Sequence, residues 1–241
     1  MTINLKDQYV CTVCSYNMVG YLPERCPFCN APKDKFITAE KCSRDYDVQE
    51  TPVIDSVTRL SSVPKLGIEH ASYQINKDNK TYQIDCPSSF DTSIKPMDEI
   101  IFTHFHFLGA SNLYRKYFSS KVSIHQSDSD FKLCRGFSFD NTFQTSFIKD
   151  GIEAVHIDGH TPGFTCYFFK DVAFICDYVL FRNNRMIFNP FGPQTRTVKG
   201  GHHLKQLLDE RNINKICGVN YVMDFEDWYP RYKSLLESKS G

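Results

Sequence analysis

Four cysteines near the N-terminus are the residues best suited to chemistry in this 241-residue chain. They form two Cys-x-x-Cys pairs, Cys11 with Cys14 and Cys26 with Cys29. Each pair makes a short knuckle, and two facing knuckles supply four thiolates in a tetrahedral arrangement that suits zinc or a single iron ion. In a reducing compartment this spacing is typical of a metal site rather than of disulfides. The sequence therefore predicts a four-cysteine metal site, and the spacing alone leaves iron and zinc open.

The segments around these cysteines, YVCTVCSY and CPFCNAP, resemble the rubredoxin family, in particular the rubredoxin-like module of rubrerythrins. The resemblance covers about residues 7–38 and includes three aromatic residues that are expected to pack beside the metal: Tyr9, Tyr16 and Phe36. It implies one iron ion, cycling between the ferrous and ferric states, with four ligands: Cys11, Cys14, Cys26 and Cys29.

The sequence departs from the rubredoxin pattern after the second cysteine of each pair. The family usually has glycine there, whereas this chain has Ser15 and Asn30. Asparagine adopts the left-handed backbone conformation more readily than serine does. Because backbone N–H groups that bond to the sulfurs tune the reduction potential, altered knuckles are expected to shift it. Structural zinc is the alternative occupant.

Histidines carry the second group of candidate residues. His104 and His106 follow an apolar strand-like run at 99–102, and His160 lies in a turn after a run ending at Ile157. Asp177 closes the apolar run 172–176. Three imidazoles and one carboxylate at the ends of different strands are a suitable ligand set for a borderline metal ion. Spacing alone does not join them in space.

The order of these motifs, THFH, then GHTPG at 159–163, then Asp177, resembles the metallo-β-lactamase superfamily over about residues 55–241. The implied fold is a four-layered αβ/βα sandwich with its metal site at one edge of the facing sheets. Matched residue by residue, His104, His106 and His160 correspond to the histidines of the first metal, and Asp177 corresponds to the bridging carboxylate. Asp85 falls where the family often ends an early strand with aspartate.

The departures from this second pattern concern the second metal ion. The family usually has Asp-His at the positions of Leu108 and Gly109. The family's last histidine ligand is expected near residues 218–221, and this chain has no histidine there. A two-metal hydrolase needs both ions to generate hydroxide and hold the substrate. The sequence therefore predicts no binuclear site. It leaves open a single zinc or iron ion at His104, His106, His160 and Asp177, or a remnant pocket that binds none.

The chain is predicted to be an α/β protein with a small metal-knuckle module followed by the larger sandwich. The expected boundaries are a rubredoxin-like module at 1–40, a linker at 41–56 and a metallo-β-lactamase-like domain at 57–241. The linker is predicted because residues 39–56 are polar and lack a regular apolar pattern. Strands mixed with helices after residue 57 favour an α/β layered fold. Four other histidines are not expected to bind a metal ion. His125 is expected at the surface, His156 in the core or at a strand edge, and His202 and His203 as capping or solvated residues at the start of a helix.

Composition and charge argue against nucleic-acid binding and against a membrane span. Lys plus Arg equals Asp plus Glu, 28 each, and there is no basic stripe, so nucleic acid is not an expected partner. There is no apolar run long enough for a membrane span and no signal-peptide pattern. Six further cysteines are expected to be free thiols in a reducing cytoplasm: Cys42, Cys86, Cys134, Cys166, Cys176 and Cys217.

The function expected from these features is electron transfer by an iron site, with a separate redox partner protein. One alternative is a hydrolase that uses one metal ion on an unidentified small molecule. Another is a non-catalytic binding or assembly protein whose four cysteines hold structural zinc. Whether the chain is an enzyme stays open, except that a binuclear hydrolase is not expected.

Overall fold

The computed structural model describes residues 5–68 and 70–239. It divides into two units, the first ending at Thr142 and the second beginning at Phe143. Among the described residues, no helix combines the length and the apolar character that crossing a membrane requires.

The first unit contains the cysteine knuckles and a seven-stranded sheet. Its elements in chain order are β1 (Gln8–Cys11), β2 (Asn17–Val19), β3 (Phe36–Thr38), α1 (Ala39–Asp45), β4 (Asp47–Ile54), β5 (Val57–Val63), β6 (Ser72–Lys77), β7 (Lys80–Ile84), β8 (Glu99–Ile101), α2 (Ser111–Phe118), β9 (Lys121–His125), α3 (Gln126–Ser129) and β10 (Asn141–Phe143). A three-stranded antiparallel sheet in the order β2-β1-β3 carries the knuckles. The larger sheet has the order β10-β9-β8-β7-β6-β5-β4.

The centre of the larger sheet is parallel, and this positions the polar residues of the site. β7 pairs with β8, and β8 with β9, in parallel register. The carboxyl ends of parallel neighbours meet at one edge of a sheet. Asp85 follows β7, Thr103 and His104 follow β8, and His125 ends β9, so these residues share that edge.

The core beside these strands is apolar. Ile100, Val122 and Ile124 of β8 and β9 pack with Leu113 and Tyr114 of α2, all at most 5% exposed. Burying each such side chain stabilises the fold by roughly 1.5–3 kcal/mol. The strands that end at the site are thereby held in place.

The structure differs from the sequence prediction at residues 41–56. Instead of an irregular linker, this segment forms most of α1 and all of β4. Thr38 caps α1 by accepting a hydrogen bond from the Lys41 backbone N–H, and β4 pairs with β5. β4 lies at the edge of the sheet, and in its first six residues only Val48 is buried. An exposed edge strand needs few apolar residues, so its sequence lacks the alternating apolar pattern that predicts a strand.

The second unit contains a six-stranded sheet, a two-stranded sheet and two helices. Its elements are β11 (Phe147–Lys149), β12 (Ile152–His156), β13 (Thr165–Phe169), β14 (Val172–Cys176), β15 (Val179–Arg182), β16 (Arg185–Phe188), α4 (Gln194–Asp209), β17 (Lys215–Gly218), β18 (Val222–Asp224) and α5 (Phe225–Glu237). The larger sheet has the order β11-β12-β13-β14-β17-β18. β12 and β14 both run antiparallel to β13, so the residues after them, including His160 and Asp177, lie toward one edge.

Candidate metal centres

The four cysteines of the knuckles form a cage of the size that a tetrahedral metal needs. Their sulfur atoms all lie within 4.8 Å of one another. Cys11 Sγ lies 3.7 Å from Cys29 Sγ, and Cys14 Sγ lies 3.6 Å from Cys26 Sγ. A metal–sulfur distance of about 2.3 Å gives a tetrahedron with edges of about 3.8 Å, so the cage fits a zinc or iron ion. The same separations are far too long for a disulfide, whose sulfurs lie about 2.05 Å apart.

Both knuckles use a left-handed residue after the second cysteine. Ser15 has φ 65° and Asn30 has φ 63°. The Ser15 N–H donates to the carbonyl of Cys11, and the Asn30 N–H donates to that of Cys26. The two non-glycine residues therefore adopt the turn for which the rubredoxin pattern uses glycine, at a cost that is smaller for asparagine.

The cysteines of the cage differ in how readily they ionise. The thiols of Cys14 and Cys26 hydrogen-bond to Cys11 and lower the pKa of its thiol, and backbone N–H groups lower it further. The hydrogen bonds with Cys11, together with burial, raise the pKa values of the Cys14 and Cys26 thiols, and backbone N–H groups only partly oppose this. Backbone N–H groups bond to three of the sulfurs: those of Val13 and Cys14 to Cys11, that of Tyr16 to Cys14, and those of Phe28 and Cys29 to Cys26. Such bonds stabilise thiolate charge and set the potential of an iron–sulfur site.

An aromatic shell encloses the cage on one side. Tyr9, Tyr16 and Phe36 pack in the same cluster as the cysteines, as the sequence predicted. The Tyr16 hydroxyl donates to the carbonyl of Leu133 at 2.5 Å, which ties the first knuckle to the loop after α3. Cys29 is half-buried, whereas the other three cysteines are at most 6% exposed, so the cage opens toward solvent at Cys29.

His104 is held in one tautomer by a hydroxyl and a carboxylate. Both carboxylate oxygens of Asp85 lie within 2.9 Å of Thr103 Oγ1, and Thr103 Oγ1 lies 3.0 Å from His104 Nδ1. The Thr103 hydroxyl has one proton, which it donates in a hydrogen bond to the Asp85 carboxylate. Oγ1 can therefore only accept from His104, so His104 Nδ1 carries a proton and donates to Thr103 Oγ1. The lone pair is then on Nε2, the atom that would bind a metal.

His106 lies beside His104 in the first unit. The two ring centroids are 4.7 Å apart, with an angle of 78° between the ring planes. His106 is half-buried, and its ring also meets the edge of Phe28, which lies between Cys26 and Cys29. The Phe28 and His106 centroids are 5.1 Å apart. Thus the structure brings one predicted histidine ligand into contact with the second cysteine knuckle.

His160 and Asp177 come together in the second unit. His160 Nε2 lies 3.6 Å from Asp177 Oδ2, and His160 Nδ1 lies 2.8 Å from the carbonyl of Phe191. A carbonyl only accepts, so Nδ1 carries the proton and Nε2 again has the lone pair. Asn189 Nδ2 donates to Asp177 Oδ2 at 2.8 Å and lies 3.3 Å from His160 Nε2. Both side chains are therefore fixed by hydrogen bonds.

Burial raises the pKa of the Asp177 carboxyl. The facing His160 and the hydrogen bond from the Asn189 amide lower this pKa, but only partly offset the effect of burial. A bound cation would favour the carboxylate form. The loop behind His160 is tight as well: a Cβ at Gly192, which has φ 86°, would lie 2.3 Å from the His160 carbonyl oxygen.

Two positions where the superfamily pattern has further ligands are occupied by Leu108 and Gly109. Leu108 is fully buried in the apolar core of the first unit. Gly109 has φ 49°, and a Cβ there would lie 2.3 Å from the carbonyl oxygen of Cys86 and 2.5 Å from that of Pro87. Leu108 therefore offers no ligand atom, and the backbone at Gly109 has no room for a side chain.

Two of the four histidines to which the sequence assigned no ligand role have structural contacts. His125, expected to be exposed, is 3% exposed, and its Nδ1 accepts from the Ser127 N–H at the start of α3. His156 Nε2 lies 2.8 Å from the Pro162 carbonyl and so supports the turn that carries His160. His202 and His203 are exposed on α4, as expected.

Sequence reasoning missed two contributors. Asn189 lies in no recognisable motif, and the Phe28–His106 contact joins residues 78 positions apart in the chain. The pairs His104–His106 and His160–Asp177 are each brought together. That all four residues hold one ion stays a prediction.

A family model matches the N-terminal part of the chain. The family model for the rubredoxin-like domain of rubrerythrin matches residues 9–37. No curated protein is similar enough in sequence to match the chain.

Solved structures of metallo-β-lactamases share the fold of most of the chain. The metallo-β-lactamase FIM-1 from Pseudomonas aeruginosa, in its mono-zinc form, is 13% identical, with a TM-score of 0.64 over 83% of this chain and 99% of that one. A metallo-β-lactamase from Pontibacter korlensis is 13% identical, with a TM-score of 0.62 over 79% of this chain and 99% of that one. An archaeal metallo-β-lactamase superfamily protein from Sulfolobus tokodaii is 14% identical, with a TM-score of 0.51 over 68% and 79%.

These findings confirm the predicted combination. The chain joins a rubredoxin-like module to an α/β fold of the metallo-β-lactamase type. At such low sequence identity the likeness to the solved structures concerns the fold alone.

Proposed function

We propose that this protein transfers single electrons through one iron ion bound by Cys11, Cys14, Cys26 and Cys29. The observation that carries the proposal is the cage itself: its sulfur separations of 3.6 and 3.7 Å suit tetrahedral iron, and backbone N–H groups bond to its sulfurs. When bound, iron supplies a one-electron carrier. The protein holds the thiolates and stabilises their charge through the backbone N–H groups.

Electrons are exchanged with a separate partner protein at the side of the cage that opens toward solvent, next to Cys29. Cys29 is half-buried there, and Phe28 beside it is 38% exposed. A separate protein supplies or takes the electrons at this side.

The second centre is proposed to hold one zinc or iron ion on His104, His106, His160 and Asp177. Support comes from the hydrogen bonds at His104 Nδ1 and His160 Nδ1, which leave Nε2 of each ring as the ligand atom. The similar fold of FIM-1 in a mono-zinc form supports occupancy by one ion. The buried Leu108 and the crowded Gly109 argue against a second ion in this site.

Hydrolysis with a single metal ion is the weaker candidate. Leu108 has replaced the family's aspartate and is buried in the core, so it cannot accept a proton from water. A missing general base costs about 10²–10⁴-fold in rate. A purely structural role for the cysteine cage, with zinc bound, is the other alternative.

The test is an anaerobic redox titration of the purified protein. The proposal expects visible thiolate-to-iron absorption that dithionite bleaches and air restores, and that Cys11→Ser abolishes. A colourless protein with one zinc ion in the cage would contradict it. Hydrolysis would be supported instead by ester or phosphoester turnover that His104→Ala removes.

A further inference from the structure

We propose that the open side of the cysteine cage docks an acidic one-electron carrier protein. Two segments of the first unit make the contact, residues 24–30 and 130–135, which together are called the docking face. The inference rests on the proposed function, and it names the kind of partner, which the proposed function leaves open.

The apolar part of the docking face consists of two exposed phenylalanines. Phe28, directly before the half-buried Cys29, is 38% exposed, and Phe131 is 39% exposed. The ring centroids of Phe28 and His106 are 5.1 Å apart. Phe105 lies between His106 and Phe131, with a centroid separation of 4.4 Å to each ring. Since aromatic residues are enriched in protein interfaces, this continuous aromatic surface beside an accessible sulfur suits a protein partner.

The second segment is fixed against the cage by Leu133. Residues 132–134 form one 3₁₀ turn, which the Arg135 N–H closes by donating to the carbonyl of Lys132. Leu133 packs against the cysteine cluster, and its carbonyl accepts from the Tyr16 hydroxyl. Residues three apart in a 3₁₀ turn lie on the same side, so Lys132 and Arg135 share one side of this turn.

The docking face carries three exposed cations. Lys132 and Arg135 are exposed in the second segment, and Arg25 is exposed in the first. Arg25 reaches across the second knuckle, where its Nη1 donates to the carbonyl of Asn30 at 3.3 Å. None of the three cations forms an ion pair with a residue that the structure describes.

The acids near these cations do not cancel their charge. Glu24 pairs with Lys33 at 2.7 Å, and Asp34 pairs with Lys35 at 3.6 Å. Asp130 is the one acid of the docking face without a cationic partner among the described residues. The unpaired charge is therefore positive, although the whole chain has no net charge. Opposite charge on a partner speeds encounter and sets its orientation, so the expected carrier is acidic.

The step at this face is the transfer of one electron without the making or breaking of a bond. Ferric iron in the cage becomes ferrous, and the reduced carrier is oxidised by one electron. Cys29 is the least buried of the four cysteines, so the carrier approaches the cage at this sulfur.

Binding of two carriers of opposite charge to the full iron-containing chain tests the proposal. The probes are a plant-type ferredoxin, which is acidic, and cytochrome c, which is basic, and titration calorimetry measures the Kd of each. Ferredoxin is expected to bind and cytochrome c is not. Raising the ionic strength from about 0.01 M to about 0.1 M shortens the Debye length from about 30 Å to about 10 Å. The Kd for ferredoxin is therefore expected to rise about tenfold or more.

The double variant Arg25→Glu with Lys132→Glu tests the assigned cations. It is expected to weaken ferredoxin binding by about tenfold or more, because like charges then face each other. Lys95→Glu is the matched control. Lys95 is also exposed, but it bonds to Asn76 near the start of β7, at the opposite edge of the sheet from the residues after β8. It is expected to leave the Kd unchanged. Iron content and the ferric–thiolate absorption of every variant show whether the cage is intact.

Three results would overturn the inference. They are no binding of ferredoxin, equal binding of cytochrome c, and an unchanged Kd in the double variant. A dimer of the chain that the double variant disperses, as followed by sedimentation, would also overturn it, because a second copy would then occupy the face. A cage without reversible bleaching would instead overturn the proposed function, whatever the affinity for ferredoxin.

Discussion

Thr103 links a carboxylate to a candidate metal ligand through one hydroxyl group. It is fully buried, donates to Asp85 and accepts from His104 Nδ1. Groups that orient ligating histidines in this way typically change metal affinity by about 10–100-fold when they are removed.

Thr103→Val is therefore expected to weaken metal binding at the histidine centre by about 10–100-fold. It is also expected to cost about 1–3 kcal/mol in the free energy of unfolding, because the Asp85 carboxylate loses a buried partner. Metal titration and denaturant unfolding measure the two effects. Thr81→Val is the control, since Thr81 is also buried but bonds to Asn76. Equal metal affinity in Thr103→Val and wild type would exclude the orienting role.

Replacing Gly109 by histidine tests whether a ligand of the family's second metal ion can be restored in this chain. Gly109→His would reintroduce the family residue, but its Cβ would lie 2.3 Å from the Cys86 carbonyl oxygen. The variant is expected to gain no second metal ion and to lose about 2 kcal/mol or more of stability, because backbone must move.

Gly20→His is the matched control for this substitution. Gly20 also has a positive φ, 82°, but no atom lies within 4 Å of the added Cβ. The left-handed conformation alone costs roughly 1–2 kcal/mol. Unfolding measurements and elemental analysis compare the two variants. A stable Gly109→His protein with two ions at the histidine centre would refute the account of this position.

At the scale of elements, Arg115 joins α2 to the segment that precedes β10. Its guanidinium donates to both oxygens of Asp140, at 2.8 and 2.9 Å, and Asp140 also accepts from the Val122 N–H in β9. The hydrogen bonds from Arg115 are the main reason that the pKa of Asp140 falls from 3.8 to about 2. The pair therefore braces α2 against the parallel strands that end at the site.

The stability from Asp140 is expected to be fully present above about pH 4 and to be lost as the pH falls through about 2. The carboxyl has the lower pKa in the folded state, so the unfolded chain takes up the proton first. Asp140→Asn should cost about 1 kcal/mol at pH 7 and progressively less as the pH falls through about 2, as followed by denaturant unfolding across this range.

Glu24→Gln is the control for this prediction. Glu24 pairs with Lys33 at 2.7 Å, but its side chain is 83% exposed. Such exposed pairs contribute about 0–1 kcal/mol. A pH-independent difference between Asp140→Asn and wild type would contradict the assigned role of Asp140.

The elements that the sequence predicted are those with strong local patterns. Apolar runs located β8, β12 and β14, and the cysteine spacing located the cage. β4 was missed because an exposed edge strand has little apolar pattern. His125 was misjudged because burial at a strand end depends on neighbouring strands. Asn189 and the Phe28–His106 contact depend on distant parts of the chain, which no local pattern encodes.

At the scale of the whole molecule, the chain combines a rubredoxin-like module with a fold of the metallo-β-lactamase type that has its own core. About 40 residues bury too little apolar surface to fold unaided. Structural zinc contributes roughly 10–16 kcal/mol to the folding of zinc-finger peptides. The rubredoxin-like module is therefore expected to depend on its ion, whereas the larger fold depends on packing.

Counting the metal ions in wild-type protein and in Cys11→Ser tests the central claim most directly. Inductively coupled plasma analysis of protein purified without added metal is expected to find iron in the wild type. In Cys11→Ser one equivalent of that iron should be missing, while any ion on the histidines remains. Zinc in place of iron in the cage, or the same iron content in both proteins, would contradict the account.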